Sequence, residues 1–298
     1  MSIFKMPKCP VCESTSFSHF QTCKDYFVSN EEFNIKECNS CGFKITEGIA
    51  DEENIGPYYA SENYVSHSNT SKGLVNSVYH AVRKFMLKQK RKLVEKATNL
   101  KTGNLLDLGT GTAFFLSEMQ QAGWQVNGIE KSADARSFAK REFGLDVDDT
   151  PQLFRYEANS FDAITLWHVL EHIHQIDENM KAITHALKAT GKLVIALPNH
   201  TSFDAKHYKE YWAAWDVPRH IWHFSPEQVE LVGKKYQLKL SHIKSMPFDS
   251  FYVSMLSEKY KKSSLAVVKG FFIGTISWMK SIFNPARCSS VIYVFEKM

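Results

Sequence analysis

The sequence of 298 residues lacks several features that mark specialised classes of protein. Its six cysteines are too few for a secreted disulfide scaffold. Its 36 basic and 32 acidic residues give a net charge of +4, which is too small to indicate nucleic-acid binding by itself. The longest apolar run, Leu265 to Met279, contains Lys269 and falls short of the ~18–20 residues that cross a bilayer. With no apolar signal core, the sequence predicts a cytoplasmic protein of one or two domains without a transmembrane segment.

Two C-x2-C pairs stand out near the start of the chain: Cys9 with Cys12, and Cys38 with Cys41. A tight turn in each pair directs two thiolates at one point, and two such turns supply the tetrahedral soft ligands that Zn²⁺ prefers. The alternatives are cysteines that only fill space and a redox pair, which lacks the βαβ pattern that surrounds such pairs. Because four thiolates leave no open coordination position, we expect a structural zinc ion in a small zinc-ribbon-like domain of residues 1–50.

Residues 51–100 are expected to connect this domain to the next one. A polar, tyrosine-bearing stretch that includes Tyr59 and Tyr64 comes first. Apolar residues then recur at helical intervals from about Ser71 to Ala97, which predicts an amphipathic helix. The basic opposite face of that helix indicates a solvated surface, with a membrane or RNA footprint as the alternative. The tyrosines either pack in a core or a loop, or fold over a bound ligand.

An alternation of strands and helices begins at residue 104. Residues 104–108 (NLLDL) have the pattern of a buried strand, and a glycine turn at 109–112 (GTGT) leads into a helix. A second strand follows at 125–129, and Ser132 and Gly144 are typical of the start and the end of the next helix. This order predicts a doubly wound α/β fold with a mostly parallel sheet.

The glycine turn has the features of a cofactor site. Gly109 and Gly111 let the main chain approach a ligand closely, and the helix start behind them offers free N–H groups. Glu130, about 20 residues past the first glycine, is placed to accept hydrogen bonds from ribose hydroxyls. An NAD-dependent oxidoreductase fits less well, because Phe114 replaces the last glycine of G-x-G-x-x-G and the Asp107 carboxylate repels a pyrophosphate. That carboxylate attracts a sulfonium or ammonium group instead.

At these residues the sequence resembles the class I S-adenosylmethionine-dependent methyltransferases, which carry an acidic residue before G-x-G and another at the end of the next strand. A phenylalanine–aspartate strand that runs into V-L-E-H, here from Phe161 to His172, extends the resemblance. It implies a seven-stranded Rossmann-like sheet and S-adenosylmethionine as cofactor, with the glycine loop on the methionine part and Glu130 on the ribose. The cofactor-binding residues expected on this basis are Tyr59, Tyr64, Asp107, Gly109, Thr110, Gly111, Glu130, Lys131, Asp148, Asp149, Trp167 and His168, with Asp148 or Asp149 near the adenine.

A narrower resemblance covers nearly the whole chain. Some bacterial methyltransferases join a four-cysteine zinc knuckle, a tyrosine-bearing segment and a class I domain that carries a W-x-x-x-D-x-P-R-H-x-x-H-F stretch, matched here by residues 212–224. Sugar-nucleotide C-methyltransferases share the knuckle, but they carry a further α/β domain for which this sequence leaves no room. The resemblance implies a small-molecule acceptor and leaves the methylated atom, carbon, nitrogen or oxygen, open.

Histidines are the candidates for the general base. Methyl transfer from a sulfonium is an in-line displacement, and a nucleophile that carries a proton needs a base. His168 follows the fourth strand, and His220 and His223 lie three residues apart in the stretch 212–224. We expect His168 or His220 to act as the base, with His223 as a further candidate and Asp216 as the orienting carboxylate. Arg219 either binds an anionic part of the acceptor or pairs with Asp216.

The C-terminal part of the chain carries an aromatic and aliphatic stretch at about 250–284. As an insertion in a methyltransferase domain of residues 101–298, it is expected to form a lid, with a lipid-like acceptor site, a dimer contact and a peripheral membrane contact as alternatives. The sequence thus predicts a zinc-bearing methyltransferase for a small molecule, such as a sugar or a lipid-linked intermediate. An RNA methyltransferase and a zinc-knuckle nucleic-acid-binding protein are the other interpretations, and the low net charge disfavours the second. The oligomeric state is not indicated.

Overall fold

A computed structural model of the chain describes residues 2–4, 8–59 and 74–298. For residues 74–79 and 81 it describes the main chain only. The chain divides into two compact units. This division differs from the boundaries expected near residues 50 and 100, because segments distant in sequence fold together. Unit 1 comprises Met1–Ser61, Leu170–Ile176 and Ala196–Tyr293, and unit 2 comprises Glu62–Val169, Asp177–Ile195 and Val294–Met298.

Unit 1 contains a small four-stranded sheet. Its strands, hydrogen-bonded in this order, are β1 (Phe17–Lys24), β2 (Glu32–Cys38), β3 (Lys44–Thr46) and β9 (Trp222–His223). All three pairings are antiparallel, and the last aligns Ile45 with the buried Trp222. The fourth strand belongs to the stretch 212–224, so this later segment completes the sheet that the N-terminal residues begin.

The second sheet has seven strands and positions the predicted cofactor loop. Its strands are β4 (Asn104–Leu108), β5 (Gln125–Ile129), β6 (Val147–Asp148), β7 (Phe161–Trp167), β8 (Leu187–Pro198), β10 (Leu238–Ser245) and β11 (Ser290–Lys297). Their order is β10-β11-β8-β7-β4-β5-β6, and β4 runs parallel to both β5 and β7. The nearly complete burial of β4 is typical of a central parallel strand. The predicted α/β fold with a mostly parallel seven-stranded sheet is confirmed.

Helix ends follow the local sequence signals. At the start of α3, Ser132 Oγ accepts a hydrogen bond from the N–H of Ala135, and Gly144 ends this helix with φ +68°. A capping box of Ser225 and Gln228 starts α6. The helices are α1 (Leu74–Thr98), α2 (Phe114–Gln121), α3 (Ala133–Phe143), α4 (Ile176–Ala186), α5 (Phe203–Tyr208), α6 (Pro226–Lys235), α7 (Pro247–Tyr260) and α8 (Ala266–Phe283).

The apolar stretch at 250–284 folds as the two helices α7 and α8. Helix α8 has 18 residues and a mean hydropathy of 1.2, and 22% of it is buried. Among the described residues, it is the one helix that is long and apolar enough to cross a membrane by length and composition alone. From Ala266 to Met279 the apolar run noted in the sequence lies in α8, which continues past Lys280 to Phe283.

A buried carboxylate connects several segments of unit 1. Asp204 in α5 is fully buried. Its oxygens accept hydrogen bonds from Trp212 Nε1 at 2.8 Å, from Ser277 Oγ at 2.7 Å and from Ser289 Oγ at 2.6 Å. These donors offset the cost of burying the carboxylate. One side chain thereby links α5 to α8 and to the residue that precedes β11.

We expect Asp204→Ala to lower the free energy of unfolding by about 3 kcal/mol or more, because three buried donors lose their acceptor. Asp146→Ala is the matched control, since Asp146 pairs with Lys140 at the surface and such pairs contribute little. Urea unfolding of both variants measures the difference. Equal unfolding midpoints would show that the Asp204 network does not stabilise unit 1.

Candidate functional site

A topological switch point lies in unit 2, at the carboxyl end of β4. The chain builds β5 and β6 on one side of β4 and then returns to build β7 on the other side. Ligands of open α/β sheets bind in the crevice outside the strand ends at such a point. The turn Gly109–Gly111 directly follows β4, and Trp167 ends β7. The predicted cofactor loop therefore lies at the edge where this topology places a ligand.

The glycine loop has a main-chain geometry that only glycine adopts easily. Gly109 has φ +69°, and a Cβ at this position would lie 2.4 Å from Cγ2 of Val169. The N–H groups of Gly109 and Thr110 donate to the carbonyl of Ile129 at 2.7 and 3.0 Å, which ties the loop to β5. No side chain caps α2 behind the loop. The first N–H groups of α2 are thus left for an anionic ligand group such as a carboxylate.

Glu130 holds the loop from the end of β5. One carboxylate oxygen accepts the N–H of Gly111 at 2.8 Å, and the other accepts the N–H of Ser132 at 2.9 Å. Each carboxylate oxygen has a second lone pair, so Glu130 is still able to accept hydrogen bonds from ribose hydroxyls. The predicted ribose-binding residue therefore also orders the main chain of the loop.

Asp107 is a buried carboxylate in β4, just before the loop. It is 2% exposed and accepts a hydrogen bond from Thr165 Oγ1 at 2.5 Å. Burial raises its pKa to about 6, although hydrogen bonds from Thr165 and Thr110 and the ammonium of Lys90 act in the opposite direction. The negative charge of Glu130 adds to the rise. A cationic ligand in the crevice would favour the ionised form of Asp107.

The predicted adenine-side residues are placed near the end of β6. Asp148 is exposed, and its carbonyl accepts the N–H of Glu130 at 2.9 Å. The Asp149 carboxylate accepts the N–H of Thr150 at 2.7 Å and so caps the turn that follows. Lys131 is exposed as well. All three side chains are thus open to solvent, and Asp149 also has a local structural contact.

Trp167 ends β7 in unit 2, and His168 directly follows it. The ammonium of Lys90 lies 4.3 Å from the centre of the Trp167 ring, and Phe115 packs edge-on against it with centroids 5.4 Å apart. His168 adopts φ +59°, a left-handed conformation that is uncommon outside glycine. Tyr64, also predicted to contact the cofactor, lies outside the described residues.

The four predicted zinc ligands come together in unit 1. Their sulfur atoms all lie within 4.8 Å of one another. Cys9 Sγ is 3.6 Å from Cys41 Sγ, and Cys12 Sγ is 3.5 Å from Cys38 Sγ. A tetrahedral zinc ion with Zn–S bonds of ~2.3 Å requires sulfurs about 3.8 Å apart. The donor set therefore fits Zn²⁺.

Main-chain groups of the knuckles also point at the sulfurs. Burial alone would raise the pKa of the Cys38 thiol, but the N–H groups of Cys41 and Ser40 outweigh it and lower the pKa to about 7. Burial raises the pKa of Cys9 to about 11. Stabilising several thiolates at one point requires a cation, since their charges repel one another.

A second group of polar side chains meets in unit 1, and we call it the histidine cluster: Tyr59, Glu171, His172 and His220. Potential ligand atoms of Glu171, His172 and His220 lie within 4.8 Å of one another. The rings of His172 and His220 pack edge to face with centroids 4.6 Å apart. Tyr59 Oη lies 3.1 Å from Nδ1 of His172. Tyr59, predicted to contact the cofactor, therefore contacts a histidine of unit 1.

Main-chain carbonyls define the tautomers of the two histidines. Nδ1 of His220 lies 2.9 Å from the carbonyl of Ala214, and Nδ1 of His172 lies 3.0 Å from the carbonyl of Arg219. Because a carbonyl only accepts, Nδ1 carries the proton in each neutral ring and Nε2 is the basic atom. Burial, assisted by His220, lowers the pKa of His172 to about 4, so its ring is neutral at pH 7.

Asp216 lies between His220 and a buried arginine. Its Oδ2 is 3.8 Å from Nε2 of His220. The side chain of Arg219 is 1% exposed and donates to Asp216 at 2.7 Å, to Asp25 at 3.0 Å and to the carbonyl of Tyr58 at 2.9 Å. Burial would raise the pKa of Asp216, but Arg219 and His220 outweigh it and hold the pKa below its usual value. Arg219 thus forms the ion pair considered from the sequence.

His223 lies inside the small sheet of unit 1. It is 4% exposed, and its Nε2 is 2.9 Å from Thr46 Oγ1. The single hydroxyl proton of Thr46 goes to the carbonyl of His220, 2.7 Å away, so Nε2 of His223 is the donor in their contact. Burial, with His220 second, lowers the pKa of His223 well below its usual value. This environment favours a neutral, structural imidazole.

Lys90, Glu171 and His172 lie at these sites but were not predicted from the sequence as site residues. Lys90 belongs to the basic helix face that was interpreted as solvated, and for this half-buried residue the structure corrects that interpretation, because the ammonium faces Trp167. The V-L-E-H pattern contains Glu171 and His172, but no spacing in the sequence links them to His220. They come close because the chain returns 47 residues after His172, where the carbonyl of Arg219 contacts Nδ1 of His172.

The switch point, the glycine loop and the buried Asp107 define a Rossmann-like domain of the class that binds S-adenosylmethionine. Comparison with known families agrees. The chain belongs to the family described as "Methyltransferase domain", which it matches over residues 79–243. The match extends from α1 through β10 and so includes the loop after β4, the end of β7 and the stretch 212–224.

Curated relatives match parts of the chain. An uncharacterized methyltransferase of Alkaliphilus oremlandii is 33% identical over 113 residues, which are 37% of this chain and 50% of that protein. A ubiquinone biosynthesis O-methyltransferase of Pelagibacter ubique is 28% identical over 165 residues, which are 50% of this chain and 67% of that protein. The chain thus spans half the length of the first relative and two thirds of the second.

Solved structures show the same fold at low sequence identity. A SAM-dependent methyltransferase from Archaeoglobus fulgidus superposes with a TM-score of 0.50 at 15% identity, over 72% of this chain and 94% of that one. The 1,6-didemethyltoxoflavin-N1-methyltransferase of Burkholderia thailandensis has a TM-score of 0.50 at 12% identity, over 88% of this chain and 98% of that one.

The raised pKa of Asp107 predicts a pH dependence of cofactor binding. If the carboxylate must be ionised to attract a cationic ligand, its protonation below pH 6 competes with binding. We expect the affinity for S-adenosylmethionine to fall about tenfold for each pH unit below that value. Calorimetric titrations between pH 5 and pH 8 measure this, since the pKa of about 6 lies inside that range.

Asp107→Asn removes the titrating group, so its affinity should be weaker at pH 8 and nearly constant with pH. Asp146→Asn is the control at the surface and should behave like the wild type. A persistent pH dependence in Asp107→Asn would assign the titration to another group.

Proposed function

We propose that this protein transfers a methyl group from S-adenosylmethionine to a hydroxyl-bearing small molecule. The observation that carries the cofactor assignment is the loop after β4, where Gly109, Gly111 and Glu130 form one hydrogen-bonded unit beside the buried Asp107. The loop binds the methionine part, Glu130 holds the ribose, and Asp107 attracts the positive end of the cofactor. S-adenosylmethionine supplies an electrophilic methyl group that an acceptor oxygen attacks in line.

The acceptor class is supported by two observations. The Pelagibacter ubique relative is named as an O-methyltransferase, so oxygen is an acceptor atom in this family. A hydroxyl must lose its proton as the new bond forms, and the histidine cluster offers a basic nitrogen for that step. Sugars and lipid-linked intermediates are the hydroxylated classes that the sequence indicated.

His220 is the proposed general base. The Ala214 carbonyl holds its Nδ1 proton, so Nε2 presents a lone pair to a hydroxyl. Asp216, ionised because of Arg219, lies 3.8 Å from Nε2 and stabilises the imidazolium that forms when the proton arrives. His172 and Tyr59 position the His220 ring through the edge-to-face contact and the hydrogen bond between them. His168 is the alternative base in unit 2.

Titration with S-adenosylhomocysteine and with NAD tests the cofactor assignment. The methyltransferase proposal requires S-adenosylhomocysteine to bind and to protect the protein against thermal unfolding. Binding of NAD alone would contradict it and would favour the oxidoreductase interpretation.

We expect His220→Ala to lower kcat by about 10²- to 10⁴-fold, which is the range for loss of a positioned base, with little change in S-adenosylhomocysteine affinity. Production of S-adenosylhomocysteine from a panel of hydroxylated sugars and phenols provides the rate. His242→Ala, at an exposed site in β10, is the matched control and should keep the wild-type rate. An unchanged rate in His220→Ala together with a loss in His168→Ala would move the base to His168.

The four-cysteine cluster is proposed to hold a structural zinc ion. Its sulfurs fit a tetrahedral ion, and four thiolates occupy every coordination position, so the ion has no site for a substrate. Cys38 ends β2, and Cys41 lies in the turn between β2 and β3, so the ion would hold the turn that joins these two strands of the small sheet. Cysteines that ligate zinc must stay reduced, which fits a reducing, cytoplasmic environment.

We expect about one zinc ion per chain in protein purified without chelator, since four deprotonated cysteines bind the ion with high affinity. Cys12→Ser should lose the metal and lower the thermal unfolding midpoint. Cys23→Ser is the control, because Cys23 is buried outside the cluster and its removal should leave the zinc content unchanged. A metal content below about half an ion per chain would contradict the proposal.

A further inference from the structure

Helix α8 carries its large apolar side chains on the outside. The buried residues of this helix are all small: Gly270, Gly274, Ser277 and Ser281. A helix of a soluble core shows the opposite arrangement, with large apolar residues buried and small polar ones exposed. The outer face of α8 is therefore built to contact an apolar phase.

The small residues let α7 and α8 form a closely packed hairpin. A Cβ on Gly270 would lie 2.4 Å from Cα of Met255, and one on Gly274 would lie 2.8 Å from Cα of Phe251. Ser277 donates to the buried Asp204. The inner face of α8 is thus held to unit 1, and the helix presents one fixed outer face.

The exposed apolar side chains of α8 share one face of this helix, because they recur at intervals of three, four and seven residues, and two further exposed aromatic residues lie in α7. The fractional exposure of individual members ranges from 39% to 89%. Single exposed apolar residues are common, but a contiguous group of this kind marks an interaction site. We call it the hairpin stripe, and its members are Phe248, Tyr252, Leu265, Val267, Val268, Phe271, Phe272, Trp278, Met279, Ile282 and Phe283.

The hairpin that carries this stripe is rich in exposed basic residues. Residues 247–287 contain six basic and two acidic residues, a net charge of +4 that equals the net charge of the whole chain. Both acidic side chains are shielded, since Glu258 is buried and Asp249 is half-buried. The basic side chains are all exposed: Lys259, Lys261, Lys262, Lys269, Lys280 and Arg287.

We propose that the hairpin stripe docks on the surface of an anionic lipid membrane. Exposed phenylalanine and tryptophan on one helix face, flanked by lysine, is the composition of helices that lie in a membrane interface. Anionic headgroups attract basic residues beside an apolar face, and each contributes to binding. A second copy of this chain is the less suitable occupant, because two copies of the same positive surface repel each other.

The helix is proposed to lie on the membrane and not to cross it. An α-helix rises 1.5 Å per residue, so the 18 residues of α8 span about 27 Å, which is at the lower limit for a hydrocarbon core of about 30 Å, and length alone does not decide between the two arrangements. Crossing would expose Ser277 and Ser281 to lipid and break the hydrogen bond to Asp204. In the surface arrangement these contacts stay intact, and the outer face alone enters the interface.

Vesicle flotation of the full-length protein tests the proposal. The protein should float with vesicles of phosphatidylcholine and phosphatidylglycerol and should bind vesicles of phosphatidylcholine alone much more weakly. The double variant Phe272→Ser/Phe283→Ser should reduce the binding at least tenfold, since two exposed aromatic rings lose their apolar contact. Lys262→Glu should reduce binding to anionic vesicles about fivefold or more and should leave binding to neutral vesicles unchanged.

Control variants outside the hairpin distinguish binding through the hairpin stripe from nonspecific binding to vesicles. Phe154→Ser removes a phenylalanine that is 51% exposed in unit 2, and Lys181→Glu reverses an exposed lysine of α4. Both should float like the wild type. No flotation of the wild type, or equal flotation of Phe272→Ser/Phe283→Ser, would overturn the proposal. So would a dimer in sedimentation without lipid that the double variant dissociates, because the stripe would then be a contact between copies.

Discussion

The buried guanidinium of Arg219 is the interaction on which unit 1 depends. A fully buried cation is tolerated only when charged and polar partners surround it. Arg219 has them in Asp25, Asp216 and the Tyr58 carbonyl, which belong to three separate segments. Asp25 in turn accepts the N–H of Ser29 at 2.8 Å and orders the turn after β1. Removal of the cation would leave the buried Asp25 and the half-buried Asp216 without this counter-charge, so the ion pairs favour folding of the three segments together.

The same residue also positions the histidine cluster. Its side chain holds Asp216 near Nε2 of His220, and its main-chain carbonyl accepts the Nδ1 proton of His172. One residue therefore influences both imidazoles, one through charge and the other through its tautomer. Asp107 in unit 2 shows the contrast, since it is buried without an arginine and its pKa rises instead of falling. A buried carboxylate with a raised pKa and no arginine partner suits a site where the ligand brings the positive charge.

Local signals in the sequence predicted much of the fold and part of the site. The caps Ser132 and Gly144, the glycine turn after β4 and the two cysteine pairs act within a few residues of chain, so their spacing identifies them. The order of strands and helices along the chain was enough to predict an α/β fold with a mostly parallel sheet. What the sequence did not show are contacts between distant segments, such as Lys90 with Trp167 and Tyr59 with His172. These depend on how helices and loops pack, for which periodicity holds no information.

The four-cysteine cluster and the stretch 212–224 belong to one sheet, which bears on what a bound metal ion would do. The turn that Cys38 and Cys41 close leads into β3, and Ile45 in β3 pairs with Trp222. The hydroxyl of Thr46 donates to the His220 carbonyl at 2.7 Å. Metal binding at a four-cysteine site supplies folding energy to the strands beside it. A structural ion at the knuckle would therefore help to order the main chain of the proposed base, although it has no part in the chemistry.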